Sequence, residues 1–144
     1  MALLAAAALC LVVGVVDGDT LRVRCEDHGH ATQIRVRVNA IDAPEPHQPF
    51  GEQARQALAA LCDHQPVELV TVPSSRWQRT TAEVKCAGKD AASEMVRGGW
   101  AWVYDEYARD YPRLYPLQSQ AQVKHLGLWA GPAPIAPWVW RHGH

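Results

Sequence analysis

The chain has 144 residues, of which 48% are hydrophobic and 20% charged, with a formal net charge of −1 and a sequence pI near 6.6. That length and composition fit one globular domain with a real core and exclude an extended or disordered chain. The near-zero charge excludes a global basic field, so any hold on nucleic acid must come from local arginines and a metal.

Residues 2–16 carry no charge, yet the run is too short for a membrane span and lacks the basic flank that opens an export signal. The reading is a clipped export signal over residues 1–10, with Met1 to about Ala8 as targeting sequence. One domain then fills residues 11–144. Leu11–Val16, Thr20–Cys25 and Gln33–Val38 read as three strands, joined by Asp17-Gly18 and by Asp27-His28-Gly29-His30. A helix follows over about Gly51–Cys62, with Ala54, Ala57, Leu58 and Leu61 spaced as one buried face. Val67–Val72 and Thr81–Cys86 supply strands four and five. Ala91–Arg97 forms a second helix stopped by Gly98-Gly99, and a third runs about Leu114–His125 with Gly127 as its terminator. From about residue 130 the tail is Pro- and Trp-rich and reads as irregular. Five strands with a helix between the third and fourth give an α+β chain, an OB-fold barrel with three helices.

Four cysteines suit an oxidising compartment, secreted or periplasmic, and no Cys-x-x-Cys or His-rich pattern suggests zinc. If the first hairpin turns at Asp17-Gly18, Cys10 and Cys25 fall side by side on adjoining strands. Cys62 and Cys86 pair by elimination; four buried thiols are the alternative.

Two segments carry the chemistry. Val16-Asp17-Gly18-Asp19-Thr20 and Arg37-Val38-Asn39-Ala40-Ile41-Asp42-Ala43-Pro44-Glu45 gather carboxylates, an arginine and a presentable backbone carbonyl. Hard cations take oxygen ligands, so Asp19 and Asp42 suit such an ion. Pro44 biases Ala43 toward an extended conformation that can turn its carbonyl to the same ion. Glu45 lies close enough to orient or deprotonate a bound water. Arg37, with Arg79 as a second, offers the fork that matches the oxygens of a phosphorane. Taken alone, Asp17 reads as a turn residue.

These segments, with Gln48-Pro49-Phe50-Gly51, the stretch from Met95 to Tyr104 and Leu126-Gly127-Leu128-Trp129, resemble the staphylococcal nuclease family over nearly the whole chain. The resemblance implies a calcium-dependent nuclease on an OB-type barrel, cutting DNA and RNA with little sequence preference and leaving 3′-phosphates. It implies Asp19, Asp42 and the Ala43 carbonyl as calcium ligands, Glu45 as the water-activating carboxylate, and Arg37 and Arg79 as phosphate-binding arginines. One departure stands out. Where the family has Asp-Arg-Tyr-Gly-Arg, this chain has Ser75-Arg76-Trp77-Gln78-Arg79, so Gln78 replaces a glycine and Arg76 becomes an alternative to Arg79.

Trp77, Tyr104 and Tyr107 are candidates to stack on bases, which favours single-stranded substrates. Trp100, Trp102, Trp129, Trp138 and Trp140 are read as packing. The expected protein is a monomer with nucleic acid as its partner and no stable protein partner. Two other classes stay open: a noncatalytic OB module that binds single strands, and a calcium-stabilised structural domain in which the arginines have no role.

Overall fold

The computed structural model describes residues 9–72 and 80–143. The first three strands, β1 (Leu9–Asp17), β2 (Thr20–Asp27) and β3 (His30–Val38), form an antiparallel meander. Both hairpin arms are longer than expected, because His28 and Gly29 each adopt positive φ and close a two-residue turn between Asp27 and His30. After β4 (Ile41–Asp42) come α1 (Gly51–Cys62), β5 (Pro66–Thr71), β6 (Thr80–Cys86), β7 (Lys89–Asp90) and α2 (Ala91–Arg97). The chain continues with β8 (Trp102–Val103), α3 (Leu114–Val123), a 3-10 turn (Gly127–Ala130) and α4 (Pro137–Gly143).

Strands β3-β2-β1-β5-β6 lie in that order, and β3 then pairs in parallel with β6 to close a five-stranded barrel of the OB type. Val12, Leu21, Val23, Val36, Val38 and Val84 fill it, all fully buried. Helix α1 lays Ala54, Leu58 and Cys62 on the core, while Ala57 and Leu61 are partly buried beside them. The alternation within the strands and the helical spacing within α1 are therefore what pack the molecule.

Both expected disulfides are present. Cys10 and Cys25 are direct register partners across β1 and β2. Cys62 to Cys86 ties the end of α1 to the end of β6. Because Cys10 lies within β1, which starts at Leu9, the first strand reaches two residues further back than Leu11.

Three readings need correction. The tail is not irregular: it forms the 3-10 turn and then α4, which opens on Pro137, a residue whose missing N–H costs nothing in a first turn. Helix α3 ends at Val123, and the first positive-φ residue after it is His125, two residues before Gly127. Gly127 serves another purpose, since a Cβ there would lie 2.3 Å from the Gly99 carbonyl oxygen, where the tail crosses the end of α2. Three short strands, β4, β7 and β8, were also not anticipated. Two-residue bridges carry no periodic signal.

Candidate active site

The site is built where the β1–β2 turn meets the segment after β3. Strand β1 contains register shifts between Val12 and Gly14 and between Val15 and Asp17, so the ladder kinks just before the turn. Gly18 is needed there for closeness, not for backbone freedom. A Cβ at that position would sit 2.7 Å from the Ala43 Cβ and 2.8 Å from that of Ala54. The turn can therefore press against both the 42–45 loop and α1, which places Asp19 beside Asp42.

Asp19 is held from two sides. Its Oδ2 accepts the Ala43 amide at 2.9 Å, and its Oδ1 accepts the Thr20 hydroxyl at 2.8 Å. Asp42 sits on β4, paired with Trp102 of β8, and is only 1% exposed. Arg37 occupies the end of β3 opposite Thr20 and is 8% exposed, whereas Arg35 on the same strand is exposed. The difference is partners. Arg37 Nη2 donates to the Ile41 carbonyl at 2.8 Å and stands 3.7 Å from Asp42 Oδ1 and 4.0 Å from Asp19 Oδ2.

Glu45 is positioned through its backbone. Its amide donates to Gln48 Oε1 at 3.1 Å, its carbonyl accepts the Gln48 amide at 2.9 Å, and Gln48 Nε2 donates to the Ile135 carbonyl. Gln48 is buried, so this loop and the tail share one internal tie. Gly51 permits the fit, since a Cβ there would lie 2.0 Å from the Glu45 carbonyl oxygen.

Asp19, Arg37, Asp42, Glu45, Tyr104 and Tyr107 thus line one polar cavity of about 330 Å³, together with Asp17, Thr20 and Arg141. Ala43 is buried directly behind Asp19. The Tyr104 and Tyr107 rings are 5.1 Å apart, edge to face, and the Tyr104 hydroxyl donates to Glu106. Trp77, Arg76, Gln78 and Arg79 lie outside the described residues. Trp100 packs on the core, and Trp102 packs against Trp129 at 4.4 Å and against Trp138 at 5.6 Å, as expected.

Two residues of the cavity escaped the sequence reading. Asp17 is not merely a turn residue: its Oδ1 accepts the Asp19 amide at 3.0 Å, and its carboxyl faces the cavity. Burial, reinforced by the neighbouring Asp19 charge, pushes its pKa up from 3.8 to about 8. Alternation would have found it, because Asp17 and Asp19 are two residues apart, but Asp-Gly speaks first as a hairpin. The second is Arg141, whose Nη2 donates to Asp42 Oδ2 at 2.7 Å and whose Nη1 donates to Asp42 Oδ1 at 3.2 Å and Glu45 Oε1 at 2.6 Å. Nothing in its local sequence marks it, since it reaches the site from α4 across 99 residues of chain. Even against this pairing, desolvation leaves the Asp42 pKa raised.

The donor set suits a hard divalent ion. Four carboxyl groups share the cavity with only two guanidinium groups, and burial, with the Asp19 charge as a lesser cause, raises the pKa values of Asp17 and Asp42. Among the described residues no three His, Cys, Asp or Glu side chains gather as a ready metal cluster. An ion on Asp19 and Asp42 would therefore complete its shell with backbone and water oxygens, as calcium readily does.

A family model described as "Staphylococcal nuclease homologue" matches residues 35–131, which includes Arg37, Asp42 and Glu45 and leaves Asp19 and Arg141 outside. The chain is 41% identical over 132 residues to an uncharacterized endonuclease of Haemophilus influenzae, covering 92% of this chain and 72% of that one. It is 36% identical over 140 residues to a micrococcal nuclease of Shigella flexneri, covering 90% and 78%. A probable staphylococcal-like nuclease of rice shares 33% identity across 77% of this chain and 33% of its own length.

Proposed function

We propose that this chain, which belongs to the staphylococcal nuclease family, is a calcium-dependent nuclease that hydrolyses DNA and RNA with low sequence specificity and leaves 3′-phosphate ends. The observation that carries the reading is the convergence of Asp19, Arg37, Asp42 and Glu45, drawn from two separate segments, on one polar cavity.

Asp19, Asp42 and the Ala43 carbonyl would hold the ion. When bound, a divalent cation supplies a polarised phosphoryl oxygen and a more acidic water. Glu45 would orient an attacking water in the cavity and accept its proton as the water oxygen bonds to phosphorus. The bond to the 5′-oxygen would break and that oxygen take a proton from solvent, leaving a 3′-phosphate and a 5′-hydroxyl. Arg37 is already fixed by the Ile41 carbonyl, so its remaining N–H groups meet the growing negative charge without reorganising. Arg79, in the segment 73–79, is proposed as the second phosphate-binding arginine. Tyr104 and Tyr107 line the same cavity and are proposed to stack on bases, which suits unpaired strands.

Export fits the same picture. Two disulfides endure outside a reducing cytosol, and no helix among the described residues is long and apolar enough to cross a membrane. We propose a secreted or periplasmic monomer whose folded domain includes Leu9 and Cys10, which belong to β1.

The test is cleavage of single-stranded DNA and RNA by purified protein in calcium, in magnesium and in chelator, with analysis of the product ends. Calcium-dependent cutting to 3′-phosphates is expected. Binding without cutting under every metal would overturn the reading in favour of a noncatalytic OB module.

A further inference from the structure

We infer that Arg141 is a third phosphate-binding guanidinium of this site, parked on Asp42 and Glu45 until a divalent ion claims those carboxylates. The inference rests on the reading of Asp42 as a metal ligand. Arg141 lies beyond residues 35–131, so it is supplied by the tail and not by the stretch that matches the family model.

The tail is built to deliver it. Helix α4 starts on buried Pro137, and the Ala136 carbonyl accepts the amides of Val139 and Trp140, both at 3.0 Å. Trp138 wedges its ring 5.6 Å from both Trp102 and Tyr104. Trp102 is the β8 partner of Asp42, so the residue that seats α4 rests on the strand that carries the acid. One turn further on, Arg141 enters the cavity.

Its present contacts are with the carboxylates, not with a structural carbonyl. Arg141 Nη1 lies between Asp42 Oδ1 and Glu45 Oε1, the space between the proposed ligand and the proposed base. A cation placed on Asp42 competes with this fork directly, since both need the same oxygens. An arginine cannot yield by losing its proton, so it must swing away. Its side chain is 43% exposed, which leaves it free to do so without unpacking the core.

Charge then argues for where it goes. Asp19, Asp42 and Glu45 face Arg37 and Arg141, so a divalent ion adds positive charge to a cavity whose carboxylates and guanidinium groups are otherwise nearly balanced. Without Arg141 the loaded cavity would meet a phosphodiester with one guanidinium fewer. With it, the freed guanidinium finds its next oxyanion in the substrate.

The experiment titrates calcium alone into the wild-type chain and the Arg141→Gln and Arg141→Lys variants by calorimetry. Thymidine 5′-phosphate, which has no diester to cut, is then titrated at saturating calcium. Arg141→Gln should bind calcium roughly threefold to thirtyfold tighter and the nucleotide about tenfold weaker, the size of one charge-assisted contact. Arg141→Lys, which keeps the charge without the fork, should fall between. Calcium affinity unchanged or weakened in Arg141→Gln, or nucleotide affinity unchanged, overturns the inference. If the wild-type chain binds no calcium and cuts nothing in its presence, the proposed function falls as well. Calcium-dependent cutting with no effect of Arg141 removes this inference alone.

Discussion

Asp19 accepts the amide of Ala43, 24 residues later in the chain, at 2.9 Å. That bond brings the two acidic segments together. It also occupies one lone pair of Asp19 Oδ2, leaving the carboxylate aimed by the backbone instead of by a flexible partner.

Replacing Glu45 with Gln keeps the shape of the loop and removes the base. Turnover on a single-stranded oligonucleotide should fall by about 10²–10⁴ while substrate affinity changes little. Equal loss of binding and turnover would count against a base role.

Arg37→Lys should lose most activity, by roughly 10²-fold or more in kcat/KM, because an ammonium cannot hold the Ile41 carbonyl and fork a phosphate together. Its melting temperature should fall too, as the Ile41 carbonyl would lose the guanidinium donor in a buried setting. Full activity in this variant would refute the role given to the Arg37 fork.

Asp17 makes stability depend on pH. Its carboxyl titrates near 8 when folded, against 3.8 as its ordinary value, so between those limits the folded chain holds the extra proton. Stability therefore declines as pH rises from about 4 to about 8. Asp17→Asn, whose side-chain oxygen can still accept the Asp19 amide, should raise the melting temperature at pH 8 and change it little at pH 4, in chelator. An equal shift at both pH values would refute this.

Gln48→Ala cuts the tie between the Glu45 loop and the tail. A loss of about 1–3 kcal/mol is expected in chemical denaturation, as buried partners are left unsatisfied, along with reduced kcat. A fully active variant with wild-type stability would show that the tie does not position Glu45.

Removing the Cys62–Cys86 bridge by a double Ala substitution should cost about 3 kcal/mol, from the loop it closes across 24 residues. Thermal melts with and without reductant measure it. A chain as stable reduced as oxidised would contradict the role given to this bridge.

Much of this protein is legible in its residues. Strand alternation, the spacing of Ala54 and Leu58, the Asp-Gly turn and the cysteine spacing each act locally or across one hairpin, so they specify the barrel and the Cys10–Cys25 bridge, while Cys62–Cys86 follows from the residues only by elimination. The acids and Arg37 were readable because they cluster within two short segments. Tertiary structure alone decided which arginine of β3 is buried, since Arg35 and Arg37 share one face and differ only in reaching Ile41, Asp19 and Asp42. It likewise decided that Asp17 faces the cavity and that Arg141 enters it. Both depend on how the turn, the 42–45 loop and α4 approach one another, and such contacts between distant segments leave no periodic mark on the chain.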